Sequence, residues 1–316
     1  MAEAFCVLDA ACGNGRMAER HEEKLRIACL QFEPRFGEVA DNRARSIAMI
    51  EQAADAGARI LVLPELAISG YMFQSRAEAF ALAEAVPDGP STVAWAEVAA
   101  RRNLFLVAGI AEREGDRLYN SAVVIGPDGV LGVYRKLHLW ADENLWFEPG
   151  NLGLPVFPTP HGRIGVAICY DGWFPEVFRL AAVEGADLVC VPTNWVPITG
   201  QAEGRQPMAN ILHMAAAHSN SMVIACADRV GTERGQPFVG HSLIVGHTGW
   251  PLAGPASGDS EEIVLAEVDL SAARRARNWN SFNHPLRDRR TDIYAERLGA
   301  RPSDRRPQCA ATGEKT

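Results

Sequence analysis

Apolar positions along the chain fall into short continuous runs separated by stretches with helical spacing, a pattern that predicts buried strands alternating with amphipathic helices. Leu25 to Phe32 predicts a first strand, closed by Pro34 and Gly37. Asp41 opens a predicted helix to Ala56, with Ala44, Ile47, Ile50, Ala53 and Ala54 on one face and Gly57 as its stop. Arg59 to Glu65 then reads as a continuous apolar strand ending on an acid. Helices are predicted over Ser75 to Val86 and Ser91 to Arg102, with strands over Leu104 to Ile110, Leu118 to Ile125 and Val130 to Tyr134. Glu114-Gly-Asp116 marks a hairpin, and Pro127-Asp-Gly129 the next turn.

The second half repeats the alternation. Residues 165–169 read as a strand ending at Cys169, and Pro175 opens a helix that Gly185 stops. Asp187 to Thr193 is another buried strand, delivering Asn194 and Trp195 to the same sheet edge. A helix over Pro207 to Ser219 and a strand over Ser221 to Ala227 follow, and Ser242 to Val245 with Ile263 to Val268 reads as a final strand pair. Between the halves, Trp140, Leu145, Trp146 and Phe147 make a loop too apolar for an ordinary hydrated surface. One continuous pattern without a linker predicts a single domain over residues 24–298, preceded by an extension at 1–23 and followed by a polar, disordered tail at 299–316.

Composition narrows the function classes. The 316 residues are 47% hydrophobic, ordinary for a globular enzyme, and the net charge of −8 argues against nucleic acid or an anionic membrane as partner. The basic segment from Ser271, with Arg274, Arg275, Arg277, Arg287, Arg289 and Arg290 among aromatics, is short and reads as packing on the body or on another subunit. Seven scattered cysteines without a CxxC pair or metal-ligand spacing predict a reducing, cytoplasmic setting and no metal. No run approaches the roughly 20 apolar residues needed to span a bilayer.

The candidate chemistry rests on four residues. Taken singly, Cys169 reads as a buried core thiol, Glu65 as a cap or ion-pair partner and Lys136 as a surface lysine. Taken together they are complementary: a thiol needs a base, and an ammonium stabilises both a thiolate and an oxyanion. An acid in turn can hold the ammonium.

At these residues the chain resembles the nitrilase superfamily of carbon–nitrogen hydrolases, in its amidase and carbamoyl-hydrolase-like branch. The resemblance is carried by Leu63-Pro-Glu65-Leu66, Tyr134-Arg-Lys136-Leu-His-Leu139 and Cys169-Tyr-Asp171. It continues through Leu118 to Gly129, Phe174-Pro-Glu176, Val239-Gly-His-Ser242 and Arg287-Asp-Arg-Arg290, and spans roughly residues 25 to 295. It implies an α/β fold of the four-layer α-β-β-α sandwich type, and homodimers or higher oligomers paired through helices including the one after the cysteine. It also implies a second catalytic glutamate, Glu143 by its spacing to Pro149-Gly150, with Glu148 as the competing candidate. A departure lies at Ala217-His-Ser-Asn220, where many relatives have a Glu-Asn pair.

The mechanism so implied has Glu65 take the Cys169 proton, the thiolate attack the substrate carbon, and Lys136 with the Tyr170 N–H hold the oxyanion, without a cofactor. Cys-Tyr-Asp, where nitrile-hydrolysing branches usually carry Cys-Trp-Glu, points to a small carboxamide or N-carbamoyl compound. The alternatives are a nitrilase converting a nitrile to an acid, and a non-catalytic binding protein on the same fold. Tyr170, Trp173, Asn194 and Trp195 are the candidate substrate contacts.

Overall fold

The computed structural model describes residues 25–201 and 204–298, so the predicted extension at 1–23 and tail at 299–316 lie outside the described residues. The first half runs β1 (Leu25–Gln31), α1 (Val39–Asp55), β2 (Ile60–Val62), α2 (Arg76–Leu82), α3 (Pro90–Arg102), β3 (Phe105–Glu114), β4 (Arg117–Gly126) and β5 (Gly129–Arg135). The second half opens with α4 (Glu143–Trp146), β6 (Val156–Thr159), β7 (Gly162–Val166), a 3-10 turn at Cys169–Trp173, α5 (Pro175–Val183), β8 (Leu188–Pro192) and α6 (Met208–Asn220). It closes with β9 (Val223–Ala227), a small hairpin of β10 (Thr232–Glu233) and β11 (Gln236–Pro237), β12 (Leu243–Val245), β13 (Pro251–Ala253), β14 (Glu262–Val268), α7 (Leu270–Arg275) and α8 (Thr291–Leu298).

Two six-stranded mixed sheets result, ordered β14-β1-β2-β3-β4-β5 and β13-β12-β9-β8-β7-β6. The two-residue period of a strand explains how the first sheet is sandwiched. Ile27 and Cys29 of β1 point into the core shared with the second sheet, while Ala28 and Leu30 pack with Ile50 of α1 and Trp95 and Val98 of α3. On the other side, Phe178 of α5 and Ala209 and Ala217 of α6 join the core built on the second sheet. Helix, sheet, sheet, helix is therefore the layer order, the four-layer sandwich expected. No helix among the described residues is long and apolar enough to cross a membrane.

Several expectations change. The last two apolar runs do not pair with each other: β14 lies antiparallel to β1, with Leu25 opposite Val268, while β12 pairs with β9 in the other sheet. Both runs are buried, and burial does not specify a hydrogen-bonding partner. The predicted helix over Ser75 to Val86 stops at Leu82. Ala83 is extended, and Glu84 instead bridges to β3, its N–H donating to Ala111 O at 2.9 Å. Strand β2 ends at Val62 rather than Glu65, since Pro64 supplies no N–H to a ladder. Strands β6 and β13 and the short helix α4 had no clear periodic signal because each spans four residues or fewer. The arginine-rich segment does pack on the body, Arg274 forking onto Asp187 at 3.0 and 2.6 Å and Arg277 donating to Ala186 O at 2.6 Å.

One close approach sets the position of Glu65. A Cβ on Gly109 of β3 would lie 2.4 Å from Pro64 O and 2.5 Å from Glu65 Cα, both backbone atoms with nowhere to yield. Gly109→Ala is therefore expected to lower stability by about 1–3 kcal/mol through overpacking and to displace Glu65. Urea denaturation with a parallel activity assay checks this; a variant as stable and active as the parent would contradict it.

Candidate active site

Three loops deliver the charged residues to one buried point. After β2 the chain turns over Gly109, Leu63 N–H donating to Val107 O at 2.9 Å and Ala67 N–H to Gly109 O at 3.0 Å. Glu65 is thereby held at zero exposure beneath the second sheet. Lys136 is the first residue past β5, anchored by its N–H to Asn120 O at 2.8 Å and accepting from Gly150 N–H at 2.8 Å. Glu143 opens α4. Lys136 Nζ donates to Glu65 Oε1 at 2.6 Å and to Glu143 Oε1 at 2.7 Å. The competing Glu148 stands away from this point, half-exposed opposite Arg76 and Arg117.

Two carboxylates, one ammonium and no solvent leave a deficit of positive charge. Burial pushes Glu65 up to about 7, against the pull of Lys136, with Glu143 adding to the rise. Burial alone would lower Lys136, but Glu143 and Glu65 outweigh it and hold the ammonium firmly protonated. Glu65 Oε1 is committed to Lys136 and to Asn120 Nδ2, at 2.7 Å, whereas its Oε2 is buried with no hydrogen-bond partner. That second oxygen is the free carboxylate acceptor of the site, beside the unpartnered amide oxygens of Asn120 and Asn194.

Cys169 stands at the start of the 3-10 turn with φ of 46°, a left-handed conformation that costs a non-glycine residue roughly 1–3 kcal/mol and needs support around it. Asp171 provides it: Oδ2 accepts from Ile168 N–H at 3.0 Å and Tyr134 hydroxyl at 2.6 Å, and Oδ1 from His138 N–H at 3.0 Å. The His138 ring in turn stacks on Phe174 at 3.6 Å. Burial and then the Glu65 charge raise the Cys169 thiol, while Lys136, the Thr193 hydroxyl and the Asn194 N–H favour the thiolate. The resting sulfur is therefore a thiol that needs a base at the moment of attack, unlike a preformed thiolate.

The other candidates line a narrow cleft over the sulfur, bounded by Trp140, Tyr170, Trp173, Asn194, Trp195 and Val196 among others. Tyr170 packs edge-on against Trp140 at 4.9 Å and Phe174 at 5.2 Å. Asn194 Nδ2 is tied to Glu65 O at 2.9 Å, and Trp195 N–H to Asp228 Oδ1 at 2.9 Å. All four predicted contact residues thus share the cleft with Cys169.

Sequence reading missed Asn120 and Tyr71. Asn120 lay inside a quoted motif, as a polar residue in an otherwise apolar buried strand. Tyr71 donates its hydroxyl to Glu143 Oε1 at 2.6 Å, and burial, then the Glu143 charge, keep it well above the ordinary tyrosine range as a neutral donor. Its own N–H and that of Met72 donate to Glu233 Oε1 at 2.7 and 2.6 Å, and Glu233 pairs with buried Arg229. Nothing in residue spacing links positions 71, 143 and 233.

A buried thiol, a carboxylate with an unpartnered oxygen and a fixed ammonium thus meet at one edge of a sandwich, a set of groups that suits a thiol-dependent hydrolase. A profile of the family described as carbon-nitrogen hydrolase matches residues 26–278, and the chain belongs to that family, the nitrilase superfamily. It is similar to a nitrilase of Pyrococcus abyssi, 40% identical over 270 residues that cover 85% of this chain and 99% of that protein. A carbon-nitrogen hydrolase from Helicobacter pylori superposes with a TM-score of 0.78 at 29% identity, covering 87% of this chain and 98% of its own. An amidase of a Nesterenkonia species, solved with the acetamide moiety of fluoroacetamide added covalently at its active-site cysteine, superposes with a TM-score of 0.71 at 26% identity, covering 87% and 97%. The chain is thus an enzyme of the cysteine-nucleophile class acting on carbon–nitrogen bonds of small amides or nitriles.

Tyr71→Phe removes one charge-assisted hydrogen bond from Glu143 while keeping the ring and its backbone anchors. It is expected to lower kcat by roughly tenfold to a hundredfold, the equivalent of about 1.5–3 kcal/mol, with little change in thermal midpoint. Steady-state kinetics and a melting curve on the same preparation check both halves.

Proposed function

We propose that this enzyme hydrolyses a small nitrile to its carboxylic acid and ammonia, with Cys169 as nucleophile, Glu65 as general base and acid, and Lys136 and Glu143 as the charged support. The observation that carries the chemistry is the unpartnered Glu65 Oε2 in a site where the nearby thiol is still protonated. The choice of nitrile rests on the 40% identity to the Pyrococcus abyssi nitrilase across nearly that protein's whole length.

Glu65 takes the thiol proton as sulfur bonds to the nitrile carbon, and returns it to the nitrogen, giving a thioimidate. A carboxyl group near pH 7 suits both directions of that transfer. Water then adds to carbon as Glu65 takes one of its protons, and the second water proton passes to nitrogen, leaving an amino group and a tetrahedral oxyanion that lies toward Lys136. The oxyanion collapses to the thioester carbonyl as ammonia departs with the proton from Glu65. The remaining thioester takes a second water, releasing the acid and restoring the thiol. A carboxamide enters the same path one step later, at the tetrahedral stage. That second reading is favoured by Cys169-Tyr170-Asp171 and by the likeness to the Nesterenkonia amidase.

Pairing of two copies is part of the proposal. Leu180 and Val183 of the helix after the cysteine, with Ile211 of α6, remain exposed, which supports burial against a second chain.

Matched nitriles and amides of the same acids, assayed for ammonia and acid, test the substrate class. Turnover of nitriles to acid is expected, and turnover of amides alone would overturn the nitrile reading. Cys169→Ala should abolish both activities with the fold retained. Because the base form of Glu65 is required and its acid form persists up to about pH 7, kcat/KM should fall as pH drops through 7. An ordinary carboxylate would hold the rate to nearly pH 4. A flat profile between pH 5 and 8 would remove Glu65 as base.

A further inference from the structure

The cleft over Cys169 is tight, with about 20 Å³ of free volume, but it does not end there. Four of its walls, Trp173, Trp195, Val196 and Ile198, also bound a cavity of about 540 Å³ on one side. On another side, Trp140 and Val196 are shared with a hollow of about 160 Å³ that contains Glu143 and Tyr71. The two spaces differ in chemistry as well as size. The smaller holds the carboxylate and phenol next to Lys136. The larger adds Pro197, Met208, Val239 and Pro255 to its two indoles.

A substrate with its reacting carbon at the sulfur must aim its charge-developing atoms at Lys136 and Glu143. Its carbon substituent is then directed into the larger cavity. We infer that this cavity, walled by Trp173, Trp195, Ile198, Met208 and Val239, is the acyl-side subsite and selects a neutral apolar group of aryl or branched-alkyl size over both a methyl and a cationic chain. The inference rests on Cys169 being the nucleophile.

Size argues against a methyl group, which would leave most of the cavity filled by water against apolar walls and forfeit about 25 cal/mol for each Å² of apolar contact left unmade. Charge argues against an ammonium. Arg205 lines the cavity, so an ammonium placed there would shed water and meet a like charge. The walls are also held in place. The Trp195 backbone is held by Asp228 Oδ1 and by Val239, whose N–H donates to Trp195 O at 3.0 Å, so these two neighbouring walls are tied together. Ile198, Met208 and Pro255 carry no signal in sequence, since each is an apolar residue in a loop or at a helix end.

The test uses alkylation of Cys169 by iodoacetamide, which reads occupancy of the site by an amide whether or not that amide is turned over. Increasing phenylacetamide, acetamide or 6-aminohexanamide is added, and the half-protecting concentration is measured with the site of labelling mapped by mass spectrometry. Phenylacetamide is expected to protect at a concentration at least tenfold below either of the others. Two variants narrow the cavity, Val239→Phe from half-buried and Met208→Trp from its partly exposed mouth, and each should shrink that advantage to less than threefold while Cys169 still labels. Equal protection by acetamide, stronger protection by 6-aminohexanamide, or an advantage unmoved in both labelled variants would overturn the assignment. Failure of Cys169 to alkylate at all would instead strike the nucleophile reading, and this inference with it.

Discussion

Lys136 is a buried ammonium enclosed by two carboxylates that are themselves almost wholly buried, and the placement of nearly every other polar group nearby follows from that fact. A lone buried ammonium would shed its proton, and two lone buried carboxylates would take one up. Contacts of 2.6 and 2.7 Å to Glu65 and Glu143 offset those penalties, but only if the three side chains stay registered. Asn120, Tyr71 and the Trp140 N–H, which donates to Glu143 Oε2 at 3.2 Å, occupy the remaining acceptor positions. The single carboxylate oxygen left over is Glu65 Oε2. Structural neutralisation and chemical reactivity are thus divided between the two oxygens of one carboxylate.

The same enclosure explains why this thiol is not reactive by default. A thiolate here would add a second uncompensated negative charge to a site that already has one in excess. Burial and the Glu65 carboxylate therefore keep sulfur protonated. The proton transfer proposed above, from sulfur to Glu65, would leave the total charge of the site unchanged. A nitrile and an amide both accept this exchange, which is why the residues around the sulfur specify the reaction type more sharply than they specify the substrate.

Much of this was legible in the chain. Strand and helix alternation carried the sandwich, because apolar runs and helical spacing record burial directly. Glu65 and Cys169 stood out because each ends an apolar run, whereas Lys136 and Glu143 became candidates only through the resemblance to the nitrilase superfamily carried by the motifs around them. What could not be read was pairing. The partner of β14, the end of α2 at Leu82 and the tie from Glu233 to Tyr71 all depend on contacts between segments distant along the chain, and a buried strand looks the same in either sheet. Of the walls of the larger cavity only Trp173 and Trp195 were picked out as substrate contacts, for a related reason: in sequence, an aliphatic residue that lines a cavity is indistinguishable from one that fills a core.

The tie between Asn194 Nδ2 and Glu65 O, with Glu65 N–H reaching Thr193 O at 3.4 Å, joins a loop of the first sheet to a strand end of the second. These bonds cross the seam of the sandwich at the point where its reactive groups meet. Parting of the two sheets at this point would carry Glu65 away from Cys169. On the proposed mechanism, the alignment of the site at elevated temperature then lasts as long as the seam itself. Reinforcing contacts far from the chemistry, between the sheets, would then prolong function as directly as any change made within the site.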